Sequence, residues 1–400
     1  MWMKADEGFS VRKIIPYSRQ DVSEEDIEEV VRVLRSDFLT QGSSVTLFEN
    51  DVASLCHVAH AVAVNSATSA LHLSCLALGV GPGDIVWTST ISFVASANCA
   101  LYCGATVDFV DIDARTYNIC VGALEAKLRH AALSGKLPKV VIAVHMCGQP
   151  CDLRAIKNLS QFYGFKVIED ASHALGAKYL DKNVGSCEYS EITVFSFHPV
   201  KIITTGEGGM ALTNDEVLAK IMRLLRTHGI TKDPSEMQDG YDGPWYYQQK
   251  CLGFNFRMTD FQAALGRSQL RRLEEFVSRR TKIAQIYDTE LSDIPISTPF
   301  HTIDSRSSFH LYVIRISEST EHITREVLYS ELQRAGINVN VHYIPIHLQP
   351  FFRKMNFNPG DFPASEHYYR EALSLPIFPR MKECEQTKVI DLVRNSFLNL

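Results

Sequence analysis

The chain has 400 residues, enough for two or three domains, with the 46% hydrophobic and 22% charged content of an ordinary globular enzyme. A net charge of -6 and a pI near 6.2 argue against a nucleic-acid coat or a membrane-surface protein, so neither partner is expected. No apolar run reaches the ~20 residues that cross a bilayer, and Met1–Lys13 carries no apolar leader core; both point to a cytoplasmic chain.

Along the chain, Ser23 followed by Asp26 forms a capping-box pattern, and Ile27, Val30, Val31 and Leu34 then fall on one helical face. Ser36–Gly42 reads as a loop. From there short apolar runs alternate with helical stretches, and strands are predicted at Ala61–Val64, Ile85–Thr88, Val107–Asp111, Val140–His145, Lys166–Glu169, Thr193–Phe197 and Met210–Thr213. Several lack in/out alternation, which implies burial on both faces of a mainly parallel sheet covered by helices. Ligands of such sheets lie at the carboxyl ends of the strands. Asp233–Lys250 has no strand or helix period and reads as a long excursion. Helices are predicted around Ala263–Leu270 and Ser278–Leu291, followed by a smaller α/β unit. The ten cysteines are scattered, and Cys99/Cys103 and Cys147/Cys151 have no matching second pair. They read as reduced thiols, and no metal site is expected.

One segment stands apart. Phe195–Gly209 runs from a buried strand into a Thr/Gly-rich turn, with Lys201 near its centre. A lysine there either snorkels to water or is desolvated, and desolvation lowers its pKa and leaves a neutral amine able to attack a carbonyl. The aldehyde of pyridoxal phosphate (PLP) is the obvious candidate, and that cofactor makes three further demands. A carboxylate must keep its pyridine nitrogen protonated. Asp170 ends the run Lys-Val-Ile-Glu-Asp and could serve, although taken alone it reads more readily as the cap of a helix beginning Ala-Ser-His. The phosphate needs an anchor: Asn65–Ser69 follows a strand and opens a helix predicted at Ala70–Leu78, where hydroxyls and free amides converge, and Ser196 could add another hydroxyl. The ring needs a flat partner, and Phe93 sits on the loop after another strand.

Asn65–Leu71, Glu169–Gly176, Ser196–Gly209 and Gly253–Asp260 together resemble the DegT/DnrJ/EryC1/StrS family, PLP-dependent nucleotide-sugar aminotransferases, usually homodimers. The resemblance runs from about Ile15 to the C-terminus. It implies an α/β chain of the type I PLP-dependent (aspartate aminotransferase-like) fold, with a large domain over residues 1–265 carrying a mainly parallel seven-stranded sheet and a small α/β domain over 266–400. Carried over by motif, Lys201 would anchor the cofactor and Asp170 would face its ring nitrogen. Ala67, Thr68 and Ser196 would hold the phosphate, Phe93 would stack, and Asn255 would reach the neighbouring subunit's phosphate, giving composite sites. His173, Glu207 and His228 match family positions without an assigned role.

Ile15–Gln20, Ser36–Gly42, Ser196–Lys201 and Val341–Ile346 resemble the branch that aminates C4 of a UDP-linked 4-keto-6-deoxy-N-acetyl hexose, with glutamate as donor, on the route to pseudaminic acid. There Tyr17, Asp37, Phe38, Leu39, Thr40, Tyr343, Ile344, Pro345 and Ile346 would bind the nucleotide sugar. Ser43 and Ile202 stand where that branch often has proline. Alternatives are amination of another nucleotide 4-keto sugar and, from a different class, a catalytically silent regulator. Retention of Lys201, Asp170 and the phosphate hydroxyls weighs against the second.

Overall fold

The computed structural model describes residues 14–238, 242–318, 320 and 323–398. The reading of Met1–Lys13 and residues 239–241 of the excursion lie outside these. Ser23 caps α1 (Glu24–Leu34): its hydroxyl accepts the Asp26 amide while the Asp26 carboxylate accepts the Ser23 amide, the reciprocal pattern expected from the sequence. The loop 36–42 leads into α2 (Ser43–Cys56).

Seven strands then form one sheet: β1 (His60–Val64), β2 (Ile85–Ser89), β3 (Thr106–Val110), β4 (Val140–Val144), β5 (Lys166–Asp170), β6 (Ile192–Ser196) and β7 (Gly209–Thr213). Each lies within one residue of its predicted bounds. The order is β1-β7-β6-β5-β4-β2-β3, and every pairing is parallel except those of β7, which runs antiparallel to both β1 and β6. The connections α3 (Ala67–Ala77), α4 (Ala95–Tyr102), α5 (Val121–Ser134), α6 (Leu153–Tyr163) and α7 (Glu216–Arg226) cover the sheet.

Strands β4, β6 and β7 are buried along their whole length because both faces are covered. On one face Ile142, Ile168 and Val194 pack against α3, α4 and α7. On the other, Val141, Ala143 and Val167 meet α5 and α6, while Phe195 and Leu212 meet α2. This is why these strands read as continuous apolar runs.

Two helices follow the excursion, α8 (Asp260–Leu270) and α9 (Leu273–Glu290). The second starts five residues before its predicted position. Leu273, Phe276 and Val277 of α9 belong to the core beneath β6 and β7, whereas Ile283, Ala284 and Tyr287 belong to a separate C-terminal core. That second core holds an antiparallel sheet of β8 (Ile296–Ser297), β9 (Tyr312–Ile316) and β10 (Ala372–Leu375), in that order. The helices α10 (Arg325–Arg334), α11 (Pro350–Arg353), α12 (Pro363–Glu371) and α13 (Glu383–Leu398) complete the unit. Ile15 packs into the same core and bridges Ile337, so the N-terminal segment is tied to the C-terminal unit. Among the described residues no helix is long and apolar enough to cross a membrane, and no group of three or more His, Cys, Asp or Glu side chains is arranged to hold a metal.

Candidate active site

The carboxyl ends of the parallel strands open into a cleft of about 860 Å³ between the two cores. Strand alternation sets its floor. Asp170 ends β5 and turns into the cleft, while its neighbour Glu169 faces the opposite side. There His145 Nε2 lies 2.8 Å from the Glu169 carboxylate, and the Ser190 hydroxyl donates to it at 2.5 Å. The Cys151 amide donates to His145 Nδ1, so that imidazole is neutral, with its proton on Nε2 and donated to Glu169.

The Asp170 carboxylate is buried and fully engaged. It accepts the Ser172 hydroxyl at 2.6 Å and amide at 3.2 Å on one oxygen, and the Ser96 hydroxyl at 2.6 Å on the other. No helix begins at Ala171, so Asp170 caps none; its partner on the local chain is a turn. Lys201 sits on the turn after β6, its amide donating to the His198 carbonyl. Burial pushes its ammonium down to about 8, and the charge of Asp170 opposes that shift.

Helix α3 starts at Ala67, three residues before the predicted start, because Ser66 is its cap and accepts the Ser69 amide at 3.1 Å. The amides of Ala67 and Thr68 have no carbonyl one turn back to donate to, and both residues line the cleft. Gly209, at the start of β7, runs directly beneath this helix end: a Cβ there would lie 2.4 Å from the Ala67 nitrogen. Only glycine admits that approach.

The cleft thus fits PLP. It offers an amine of lowered pKa for the aldehyde, a buried carboxylate for the pyridine nitrogen, and a helix N-terminus with the Thr68 and Ser196 residues for the phosphate. Phe93 presents a ring 59% exposed at its wall, an apolar face with room for a flat partner.

The other wall comes from the N-terminal segment and the C-terminal unit. Tyr343 stands with its hydroxyl 3.1 Å from His173 Nε2 and its ring 6.2 Å from that of Phe93. His310 lies against His173, ring centroids 4.3 Å apart. His342 Nδ1 is 2.8 Å from the Ser374 hydroxyl, and its ring is 5.5 Å from that of Tyr17. Burial first, and then the charge of Lys201, holds His173 well below the usual imidazole range and takes His342 down to about 3. Burial, with the neighbouring His173 and Lys201, does the same to His310, so all three are neutral. Burial also keeps the Tyr343 hydroxyl protonated.

Of the residues singled out in the sequence, Tyr17, Ala67, Thr68, Phe93, Asp170, Ser196, Lys201, Tyr343 and Ile344 line the cleft, as do His173 and Glu207. Others do not line it. Asp37, Phe38, Leu39 and Thr40 are exposed on their loop. Pro345 and Ile346 are buried behind the wall, the latter in the core with Phe352. Asn255 is exposed, its carbonyl 3.5 Å from the Asn65 side chain. Ser96, Ser172 and His310 went unnoticed in the sequence. An isolated serine or histidine in a loop carries no local signal, and each matters here through a partner at least one strand away, except Ser172, which a turn reading of Asp-Ala-Ser would have found.

Residues 20–394 match the DegT/DnrJ/EryC1/StrS aminotransferase family. The chain belongs to that family. It is 40% identical over 384 residues to the spore coat polysaccharide biosynthesis protein SpsC of Bacillus subtilis (strain 168), covering 95% of this chain and 96% of SpsC. Among solved structures it is similar to Helicobacter pylori PseC, an aminotransferase involved in the biosynthesis of pseudoaminic acid, with a TM-score of 0.88 and 32% identity over 97% of this chain and 100% of PseC. A putative sugar aminotransferase of Streptococcus pneumoniae, Spr1654, solved with PLP among other forms, matches with a TM-score of 0.86 and 30% identity over 97% and 99% of the two chains. The seven-stranded sheet is that of the type I PLP fold, and the chain is a PLP-dependent transaminase of the sugar aminotransferase kind.

Proposed function

We propose that this family member transfers an amino group, from L-glutamate, to C4 of a UDP-linked 4-keto-6-deoxy-N-acetyl hexose on the route to pseudaminic acid. The full-length likeness to PseC carries the reading. The relation to SpsC, named for spore coat polysaccharide, supports a surface-sugar precursor more generally and favours another nucleotide 4-keto sugar as the second reading. When bound, PLP supplies an electron sink that weakens the C–H bond next to an attached nitrogen. In this reading the neutral Lys201 Nζ would take the proton from the donor's Cα and return one at the sugar's C4, one amine serving as base and then as acid. Asp170, fixed by Ser96 and Ser172, holds negative charge at the ring nitrogen. Neutral His173 keeps the Tyr343 hydroxyl in place without adding charge beside Lys201.

The substrates carry a diphosphate and carboxylates, yet among the described residues the cleft is lined by no arginine and by Lys201 as its one lysine. That shortage supports composite sites in a homodimer, with Asn255 and the loop of Asp37, Phe38, Leu39 and Thr40 serving the partner subunit's cleft. The apolar face of α1 supports it too: Ile27 and Leu34 stay about half exposed in the single chain. We also propose the division into units 1–265 and 266–400 flanking the cleft, with Ile15 packed into the second unit's core and Leu273, Phe276 and Val277 into the first's, and a cytoplasmic setting, supported by ten unpaired thiols.

The test is a panel of UDP-, GDP- and dTDP-linked 4-keto sugars with L-glutamate, products read by mass spectrometry and NMR. C4 amination of the UDP-linked N-acetyl sugar is expected. Preference for a GDP- or dTDP-sugar, or amination at C3, overturns the reading.

A further inference from the structure

Arg280 lies halfway along α9, where the helix leaves the core of Phe276 and Val277 and enters that of Ile283 and Ala284. It is fully buried, at 0% exposure, and among the described residues no carboxylate pairs with it. Its Nη1 instead donates to three carbonyls, of Phe309 at 3.3 Å, His310 at 3.2 Å and Ile377 at 2.9 Å, while Nε and Nη2 find no partner. Buried guanidinium groups normally offset their desolvation with an acid. This one holds backbone.

The backbone it holds is strained and clamped from the other side as well. Phe309 has φ of +49°, a left-handed conformation that side chains rarely adopt. Ser308 donates its hydroxyl to the His173 carbonyl at 2.8 Å and its amide to the Gly148 carbonyl at 3.1 Å; the Leu311 amide donates to Cys147 at 3.3 Å. Gly148 lets the strap in, since a Cβ there would lie 2.5 Å from the Ser308 hydroxyl. The strap 307–311 is therefore gripped between large-domain loops and Arg280. His310 projects from it onto His173, which in turn holds the Tyr343 hydroxyl.

We propose that Arg280 is a positioning residue for amino transfer. By fixing the Phe309 and His310 carbonyls where the two cores meet, it sets His310 against His173, and through His173 the Tyr343 hydroxyl, in register with Lys201. The inference rests on the family's transamination and on no particular sugar. Arg280 stays clear of the groups proposed to hold the cofactor, so its loss moves the substrate wall and leaves cofactor loading alone.

The test compares Arg280→Met, Arg280→Lys, His310→Phe and the Arg280→Met/His310→Phe double variant, each as holoenzyme. Kinetics use whichever sugar of the panel the wild-type enzyme aminates fastest. Arg280→Met and His310→Phe should each raise KM for the sugar by about tenfold, with kcat changed less than about threefold and cofactor absorbance unchanged. The double variant should add little to either single change, because both act through one ring. The readout that needs no substrate is the ring-nitrogen NMR of histidine-labelled holoenzyme. The His173 signals should move in Arg280→Met and move less in Arg280→Lys. If Arg280→Met does not fold, Arg280→Lys and His310→Phe carry the comparison. Additive KM effects, or unmoved His173 signals in a folded Arg280 variant, overturn the proposal. A wild-type enzyme that aminates nothing in the panel refutes the substrate reading instead, and the NMR arm still decides this one.

Discussion

On the wall that carries Lys201 and Asp170, every group sits at a strand end, on the first turn of a helix or on the short connection just after a strand. Asp170 is held by three hydrogen bonds from Ser96 and Ser172, and the end of α3 rests on the bare backbone of Gly209. On the opposite wall His310, His342 and Tyr343 ride on loops of the C-terminal unit, and His310 and Tyr343 meet the first wall through His173. The first wall is rigid because a seven-stranded sheet fixes it. The second depends on how two cores are set together, so it can shift with substrate or with sequence. Changes on the first should strike the chemical step whatever the sugar, and changes on the second should show mainly in KM.

The largest effect should come from Lys201→Ala. Loss of the proton-moving amine alone removes about 10²–10⁴-fold in turnover, and loss of the covalent anchor adds to it. The variant should fold and still take up PLP, since Asp170 and the end of α3 remain. Borohydride reduction of wild-type protein followed by peptide mapping should mark Lys201. A label on another lysine would show that the sheet-borne wall is not where the chemistry lies.

Asp170→Asn should act less strongly and with two opposite signs. Losing a charge-assisted hydrogen bond worth about 1.5–3 kcal/mol, if felt entirely in the barrier, slows turnover about 10- to 200-fold. The same change should ease cofactor capture at neutral pH. Capture requires neutral Lys201, whose pKa lies near 8, so in wild-type apoprotein the rate should climb about tenfold per pH unit from pH 6 to 7 and level off above about pH 9. The Asp170 charge favours the ammonium form and raises that pKa; removing it lowers the pKa and moves the rising limb to lower pH. Stopped-flow absorbance of PLP uptake reads this directly. A limb displaced to higher pH would mean that Asp170 does not act on Lys201.

The two walls were not equally legible in the sequence. Strands buried on both faces leave unbroken apolar runs, so β1–β7 stood out to within a residue, and with them Asp170 at a strand end and Lys201 on the turn after one. The predicted start of α3 lies three residues late, at Ala70 instead of Ala67, since four of the five residues Asn65–Ser69 are of a type that could cap and only the fold selects Ser66. Arg280 reads as one more charge on a helix and proves fully buried, because its surroundings come from residues 29 and 97 positions away. His310 has the same difficulty. Asp37, Phe38, Leu39, Thr40 and Asn255 were marked by resemblance alone, and they lie outside the cleft of the chain that carries them.

The smallest expected effect sharpens the comparison at the loop 36–42. Gly42, the cap position of α2, offers no side chain, so α8 supplies one: Asp260 accepts the amides of Gly42 and Ser44, each at 2.8 Å, and returns its own amide to the Leu39 carbonyl. A carboxylate at this positive helix end stabilises α2 and ties the exposed loop to the sheet-bearing domain. The Ser43 amide, between the two that Asp260 takes, is the first of the helix. Proline is at home there: its fixed φ suits the first helical position and its missing N–H costs nothing. Gly42 is extended, with φ of -87° and ψ of -163°, and so avoids the α region that a following proline disfavours. Ser43→Pro should therefore stabilise the protein by about 0.4–1 kcal/mol, chiefly by restricting the unfolded chain, and leave turnover unchanged. Denaturant unfolding reads the first and steady-state kinetics the second. A destabilised variant would show that the Ser43 amide has work of its own. A stabilised one with altered KM would place this loop beside the sugar, on the adjustable side of the site.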